Sequence, residues 1–301
     1  GEYMEALKKD RAVVIGGVNM DIGGSPFNKL IMRDSNPGVI TARPGGVGRN
    51  IAHDMRLLGI DVSLIAAVGG DVYGHGILES CRSLGIDMSL SRILTDMRSS
   101  TYLYVTDETG DMEIGIADME IAKCITPEYL ARHIDEINKF GAVVLDANIE
   151  QEAIEYIAAH TSAPVYADPV STAKAVRLLP VLDRIAALKP NIYEAEKLTG
   201  EIDPEKAALA LVKAGVKRVF ISLGEEGMLA ADENKVVRMP REFVTVVNTT
   251  GAGDAATAAI VWAGMHGMSL EQSSRAAVKA GAITACCEGA NNPELSADRL
   301  V

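Results

Sequence analysis

The sequence predicts an α/β protein of the doubly wound kind, with a mostly parallel central sheet. Three observations carry that expectation. Short apolar, β-branched runs recur with helical patterns between them. They are AVVIGGV from residue 12, VSLIAAVG from 62, GAVVLDAN from 141, PVYADPV from 164, IAALKPN from 185 and VKRVFISLG from 216. Several end in polar residues suited to the strand ends where such sheets bind ligands: Asn19 and Asp21, Asp146 and Asn148, Asp168, Asn191 and Ser222. Two stretches then break the pattern and read as a separate small sheet.

The first of these, residues 22–42, holds Gly, Pro and Asn punctuation with a short strand on either side. The second, residues 98–121, alternates apolar and polar positions around DETGD, as an exposed antiparallel hairpin does. Together they are expected to form a β lid over the strand ends of a single domain covering residues 1–301, excluding water from a reactive site. A surface flap is the plainer reading. A flat lid edge would also favour a homodimer formed through the lid.

Composition narrows the function. The chain has 301 residues, 48% of them hydrophobic and 23% charged, enough for a large core. A net charge of -12 and a pI near 5.0, without a basic stripe, oppose a nucleic-acid partner. No apolar stretch approaches the roughly 20 residues that span a bilayer. The opening GEYMEALKKD has no signal-peptide core, so a cytoplasmic location is expected. Cys81, Cys124, Cys286 and Cys287 lack metal-ligand spacing and are expected to be reduced, with the adjacent pair buried on a helix. The five histidines show no i, i+4 pair and no zinc site.

Five motifs carry candidate chemistry. In GGVNMDIGG (16–24), Asp21 follows a strand among glycines and is either a turn former or a ligand. In RPGGVGRNIA (43–52), Gly45, Gly46 and Gly48 permit close backbone approach, and Asn50 is either a helix cap or a ligand. In LKPNIYEAEKLTG (188–200), Asn191 and Glu194 are three apart, which suits a capping box and equally a carboxylate near hydrated Mg²⁺. SLGEEGMLA (222–230), with Ser222, Gly224 and Gly227, is a nucleotide-binding turn or a plain hairpin.

The fifth, VVNTTGAGDAA (246–256), reads as a strand-like run that delivers Asp254 at the mouth of an Ala-rich helix, where unpaired amides and the macrodipole cradle an anion. GAGDAA also matches the dinucleotide fingerprint, but the acid expected about 20 residues further on at a strand end is Glu271, in helix-starting MSLEQSS. No Walker A lysine motif is present.

In this order, Gly-Gly-x-x-x-Asp, PGGVGRNIA, KPNIYEAE, SLGEEG and NTTGAGDA, the chain resembles the ribokinase-like (pfkB-type) family of carbohydrate and nucleoside kinases, from about residue 11 to the end. The resemblance implies a three-layer α/β/α fold with a small β-sheet lid, ATP and Mg²⁺, and a sugar or nucleoside as the small-molecule substrate. It implies that Asp254 is the general base and that the amides of Gly251, Ala252 and Gly253 form the anion hole. It further implies that Asp21, Gly45, Gly46 and Asn50 hold ribose hydroxyls, with Asp118, Asn148 and Asn28 as candidates for the base. Asn191, Ser222, Gly224, Gly227, Thr250 and Asn291 would line the nucleotide, and Glu194 would meet Mg²⁺ through water. Where the family often carries Asp near a monovalent cation, this chain has Asn248, a neutral oxygen donor for K⁺.

Overall fold

The computed structural model describes residues 10–301; the first nine residues of the expected domain, and most of the leading segment, lie outside it. The central sheet begins with β1 (Arg11–Ile15), whose flanks pair in parallel with β4 (Asp61–Ile65) and β9 (Ala142–Asp146). From β9 the parallel sheet continues through β10 (Val165–Asp168), β11 (Ala187–Leu188) and β12 (Arg218–Ser222). β13 (Met228–Ala231) and β14 (Val236–Met239) close that edge antiparallel to their neighbours. Each of the six recurring apolar runs, from residues 12, 62, 141, 164, 185 and 216, supplies a strand here. Their continuous apolar character follows from burial on both faces, which parallel sheets require.

Helices make the outer layers. α1 (Val47–Leu57), α2 (Val72–Ser83), α8 (Ala252–Met265) and α9 (Leu270–Ala285) pack on one face around Ile51, Met55, Ile77 and the alanines of α8. α3 (Pro127–Ile137), α4 (Gln151–His160), α6 (Ile192–Thr199) and α7 (Pro204–Lys213) cover the other around Leu130, Ile154 and Leu211, with the short α5 (Thr172–Ala175) leading into a 3₁₀ segment. Ala-rich α8 is buried from Ala255 to Ala263 because it is sandwiched between the sheet and neighbouring helices.

Both pattern-breaking stretches enter one four-stranded sheet of order β3-β2-β7-β8, built from β2 (Asn19–Pro26), β3 (Gly38–Gly45), β7 (Thr101–Thr106) and β8 (Met112–Asp118). β2 pairs antiparallel with β3 and parallel with β7. A third, two-stranded sheet joins β5 (Ala67–Gly69) to β6 (Arg92–Leu94).

Two local expectations are overturned. Residues 246–249 form no strand: Val246 and Val247 are exposed, and Val247 is tied only by its N–H to the Ala285 carbonyl at 2.8 Å. The vicinal cysteines are not buried on a helix, since α9 ends at Ala285 and leaves Cys286 exposed. All four cysteines are free thiols. Among the described residues no helix is long and apolar enough to cross a membrane.

The layering makes a stability prediction within one helix. Leu211 of α7 is 1% exposed and Leu209 is 45% exposed. Leu211→Ala should cost about 2–5 kcal/mol through the cavity it leaves, whereas Leu209→Ala should stay within about 0.5 kcal/mol, as read from urea denaturation midpoints. Equal losses would contradict the assigned core.

Candidate active site

The chain leaves β1 toward β4 on one side, while β9 is followed by β10 on the other, so the strand order reverses between β1 and β9. Doubly wound sheets open a ligand crevice at such a point. Here it is built from Gly16 and Gly17 after β1 and Asp146 at the end of β9. The Gly17 N–H donates to Asp146 Oδ2 at 2.8 Å, and the Arg49 N–H of α1 donates to the Gly17 carbonyl at 3.1 Å. Asp146 is fully buried, which raises its pKa.

Two helix N-termini converge on this crevice. α1 starts from Gly46 at φ 98° and α8 from Gly251 at φ 83°, left-handed values that a residue with a Cβ resists. A Cβ on Gly46 would also lie 2.8 Å from the Gly17 carbonyl oxygen, and one on Gly251 would strike the Ala290 carbonyl. Asn50 therefore sits in the first turn of α1 and is not its cap. Its Nδ2 donates to Asp254 Oδ2 at 3.1 Å, bridging the two termini. Burial pushes the Asp254 carboxyl well above the usual carboxylate range; Asp168 reinforces this, while the Asn50 hydrogen bond and Lys189 oppose it.

The N–H groups of Gly251, Gly253 and Asp254 donate to nothing in the described protein, whereas Ala252 N–H is spent on the Thr249 carbonyl at 3.2 Å. The cluster of unpaired amides at this terminus is thus Gly251, Gly253 and Asp254, and Ala252 of the trio expected from the motif lies outside it. Lys189 completes it: a methyl on Gly253 would sit 3.3 Å from Lys189 Nζ.

Behind the bridge lies a buried polar cluster. Arg49 donates one guanidinium nitrogen to Asn50 Oδ1 at 3.1 Å and to Asn291 Oδ1 at 2.9 Å. Asn291 Nδ2 donates to Asp54 Oδ1 at 2.8 Å and to the Asn50 carbonyl at 3.2 Å. Asn291 is therefore occupied at both ends as a clasp on α1. Burial pushes Asp54 up to about 7, against the Asn291 hydrogen bond and the Arg49 charge, and holds His53 down at about 4 with help from Arg49.

The remaining candidates divide. Asp21 joins the crevice: its carboxylate accepts from Asn19 Nδ2 at 2.6 Å, lies against Gly45, and is raised in pKa by burial. Gly48 packs against Asp146 and Gly17. Asn191 and Glu194 form a reciprocal capping box on α6, at 2.8 and 2.9 Å. Glu194 Oε2 stays free of protein hydrogen bonds, and burial first, then Asp168, raises its pKa. Ser222 lies beside Asn191, while Gly224 and Gly227 lie in the turn joining β12 to β13, the plain hairpin. Thr250 N–H is held by Asn248 Oδ1 at 3.0 Å, and Asn248 Nδ2 by the Glu288 carbonyl at 2.9 Å.

Asn248 is thus a turn former with its amide engaged at both ends. Asn148 is likewise occupied, by Asp146 at 3.0 Å and by Lys174 at 2.6 Å. Asp118 is paired with Arg98 at 2.8 Å on the small sheet. Asn28 is exposed.

Sequence reasoning missed Lys189, Arg49 and Asp54, and left Asp168 without a role. Lys189 had a visible signal, a cation at a strand end directly before Pro190 and Asn191. Asp168 ties β10 to α8, accepting from Thr257 Oγ1 at 2.8 Å and from the N–H of Val170 at 2.9 Å. Val170 is held at φ 69°, an unfavourable conformation for a β-branched residue.

Residues 9–297 match the model of the pfkB family carbohydrate kinases, and the chain belongs to that family. It is an ATP-dependent sugar or nucleoside kinase with a small-molecule substrate. Pseudouridine kinase of Escherichia coli (strain K12) is 38% identical over 98% of this chain and 96% of its own length. Ribokinase of Bacillus subtilis (strain 168) is 30% identical over 82% of this chain and 83% of its own. Arabidopsis thaliana ribokinase, solved with ribose and ATP, shares the fold at a TM-score of 0.83 with 23% identity, over 97% of this chain and 98% of that one.

Asp54 gives a pH prediction. The folded state keeps its proton to about 7, against 3.8 for the free side chain. Its contribution to stability is full below about pH 4 and is lost as pH rises through about 7. Asp54→Asn should therefore gain stability relative to the parent between pH 4 and 7, with the gap level above that, followed by urea denaturation at stepped pH. A gap independent of pH would contradict a buried, proton-holding Asp54.

Proposed function

We propose that the chain transfers the γ-phosphoryl group of ATP to the 5′-hydroxyl of pseudouridine, giving pseudouridine 5′-phosphate and ADP. The observation that carries the reading is the pairing, on one helix terminus, of a carboxylate base with unpaired amides. Acceptor oxygen and phosphorus must be neighbours, so the base and the anion cradle must be neighbours as well. Asp254 accepts the hydroxyl proton as the new O–P bond forms and the β,γ-bridging bond breaks. The amides of Gly251, Gly253 and Asp254, with Lys189, stabilise charge on the transferring group.

Asp21, Asn50 and the glycines around them hold the sugar at the β1/β9 crevice. Ser222 and the turn after it, with Thr250, line the nucleotide. Asp168, Glu194 and Asp254 face a single ammonium, Lys189, a donor set with the surplus negative charge that suits hydrated Mg²⁺, with Glu194 Oε2 as its contact. Mg²⁺ would neutralise phosphate charge.

The choice of nucleoside rests on the 38% identical relative and on likeness to pseudouridine kinase in the stretches DSNPG at 34, ADMEI at 117, DPVS at 168 and CEGANNPELS at 287. A kinase for ribose or another nucleoside is the second reading, favoured by the 30% identical ribokinase. A catalytically inactive sensor of this fold would have no use for Asp254 or for its cradle.

ADP release with ATP and Mg²⁺ should be strongest with pseudouridine among pseudouridine, uridine, other nucleosides, ribose and fructose 6-phosphate. Asp254→Asn should lower kcat by about 10³-fold or more with ATP affinity little changed. A win for ribose overturns the substrate and keeps the mechanism; no turnover with any acceptor overturns the kinase reading of the site. Because Asp254 must be ionised to act, and its pKa is raised, kcat should fall with acidification from above the usual carboxylate range.

The small sheet supports a further proposal, a homodimer formed through the lid. One face carries Ile40, Leu103, Ile114 and Ile116, all exposed, in two neighbouring rows of that face. Such a contiguous apolar patch marks an interface in a soluble protein. Sedimentation should give a dimer for the parent and a monomer for Ile114→Asp; a monomeric parent would overturn it.

A further inference from the structure

The opposite end of the central sheet carries a second cavity. It opens at the N-terminal ends of β10, β11 and β12, away from the ends that bear Asp168, Lys189 and Ser222, and encloses about 620 Å³. That is within the usual range of small-molecule sites, roughly 300–1,000 Å³. Phe220, Ile260 and Met268 give it an apolar floor against α8, and Arg184, Lys217 and Arg218 give it a cationic rim, with Asp183 the rim's carboxylate.

Its polar groups are left without partners. Tyr166 is 7% exposed, yet its phenol makes no hydrogen bond in the described protein. Ser273 is 1% exposed, and its Oγ is fully buried and unpartnered. The side chains of Arg184 and Lys217 make no ion pair among the described residues, and Arg218 spends one guanidinium nitrogen on the Met268 carbonyl at 2.9 Å, leaving the others free.

We infer that this cavity is a second binding site, separate from the kinase site, for a small phosphate monoester such as a sugar phosphate or a nucleotide. Three cations against one carboxylate select an anion, and the two guanidinium forks match phosphate geometry. The Tyr166 phenol supplies a directional bond deeper in, and the apolar floor receives a ring. The lining holds no base beside a nucleophile, so the site binds and does not react. The inference stands on these residues alone and is independent of the identity of the kinase substrate.

Equilibrium dialysis of labelled ribose 5-phosphate and uridine 5′-monophosphate against the intact chain tests it, because the kinase site also accepts such molecules and only the count separates the two. The double variant Arg184→Glu, Lys217→Glu should bind one molecule fewer per chain than the parent for at least one ester, with kcat and KM measured without added ester unchanged. Tyr166→Phe should weaken the same site about tenfold without lowering Tm, since the phenol has no protein partner to lose. Equal numbers bound by parent and double variant overturn the proposal. So does inorganic phosphate binding at the rim as tightly as the esters, which would reduce the site to surface charge.

Discussion

The hydrogen bond from Asn50 to Asp254 joins the first turns of two helices that approach the sheet from different parts of the chain, 204 residues apart. Most of the site depends on it. A carboxylate at a helix N-terminus is stabilised as an anion by the macrodipole and the free amides, yet burial drives Asp254 toward its protonated form. One directed donor decides which oxygen stays accessible and keeps the group near the balance that general-base catalysis uses. The bridge in turn needs both helices to start abruptly, which is why Gly46 and Gly251 occupy left-handed positions backed by carbonyl oxygens.

The donor itself must be oriented. An amide can turn over, and Asn50 would then offer its oxygen to Asp254. Arg49 prevents this by donating to Asn50 Oδ1, and Asn291 holds Arg49 while anchoring to Asp54. The cluster sits in the interior, where Arg49 Nε and Asp54 Oδ2 lack hydrogen-bond partners. Such a cost is tolerable where a fixed geometry is worth more than local stability. The clasp from the 286–292 segment therefore holds these side chains in place.

The strands and the polar residues at their ends were legible because a two-sided buried sheet leaves continuous apolar runs. The two lid stretches were legible because a sheet outside the core alternates with period two. The site was legible where a motif fixes backbone, as at Gly46 and Gly251, and at Asp254, whose neighbours in sequence are its neighbours in space. It was not legible where partners are distant. Nothing local says that Ala252 N–H turns back to Thr249, that Asn291 reaches α1, or that Lys189 lies over Gly253. Asn191 and Glu194 show the opposite limit, since one spacing serves a capping box and leaves a carboxylate oxygen free as well.

The small sheet shows how period-two alternation divides one element between two tasks. Asp21, Arg43, Tyr102 and Tyr104 fall on the face opposite to Ile40, Leu103, Ile114 and Ile116. β2 runs without a break from Asn19, which holds Asp21, into the middle of that sheet. β7 is fastened just before its start, where Asp71 caps α2 at Gly74 and accepts from both the N–H and the hydroxyl of Ser99. Any tilt of the sheet about these two roots moves Asp21 relative to Asp254. The apolar face and the carboxylate that enters the crevice are thus joined by one unbroken strand.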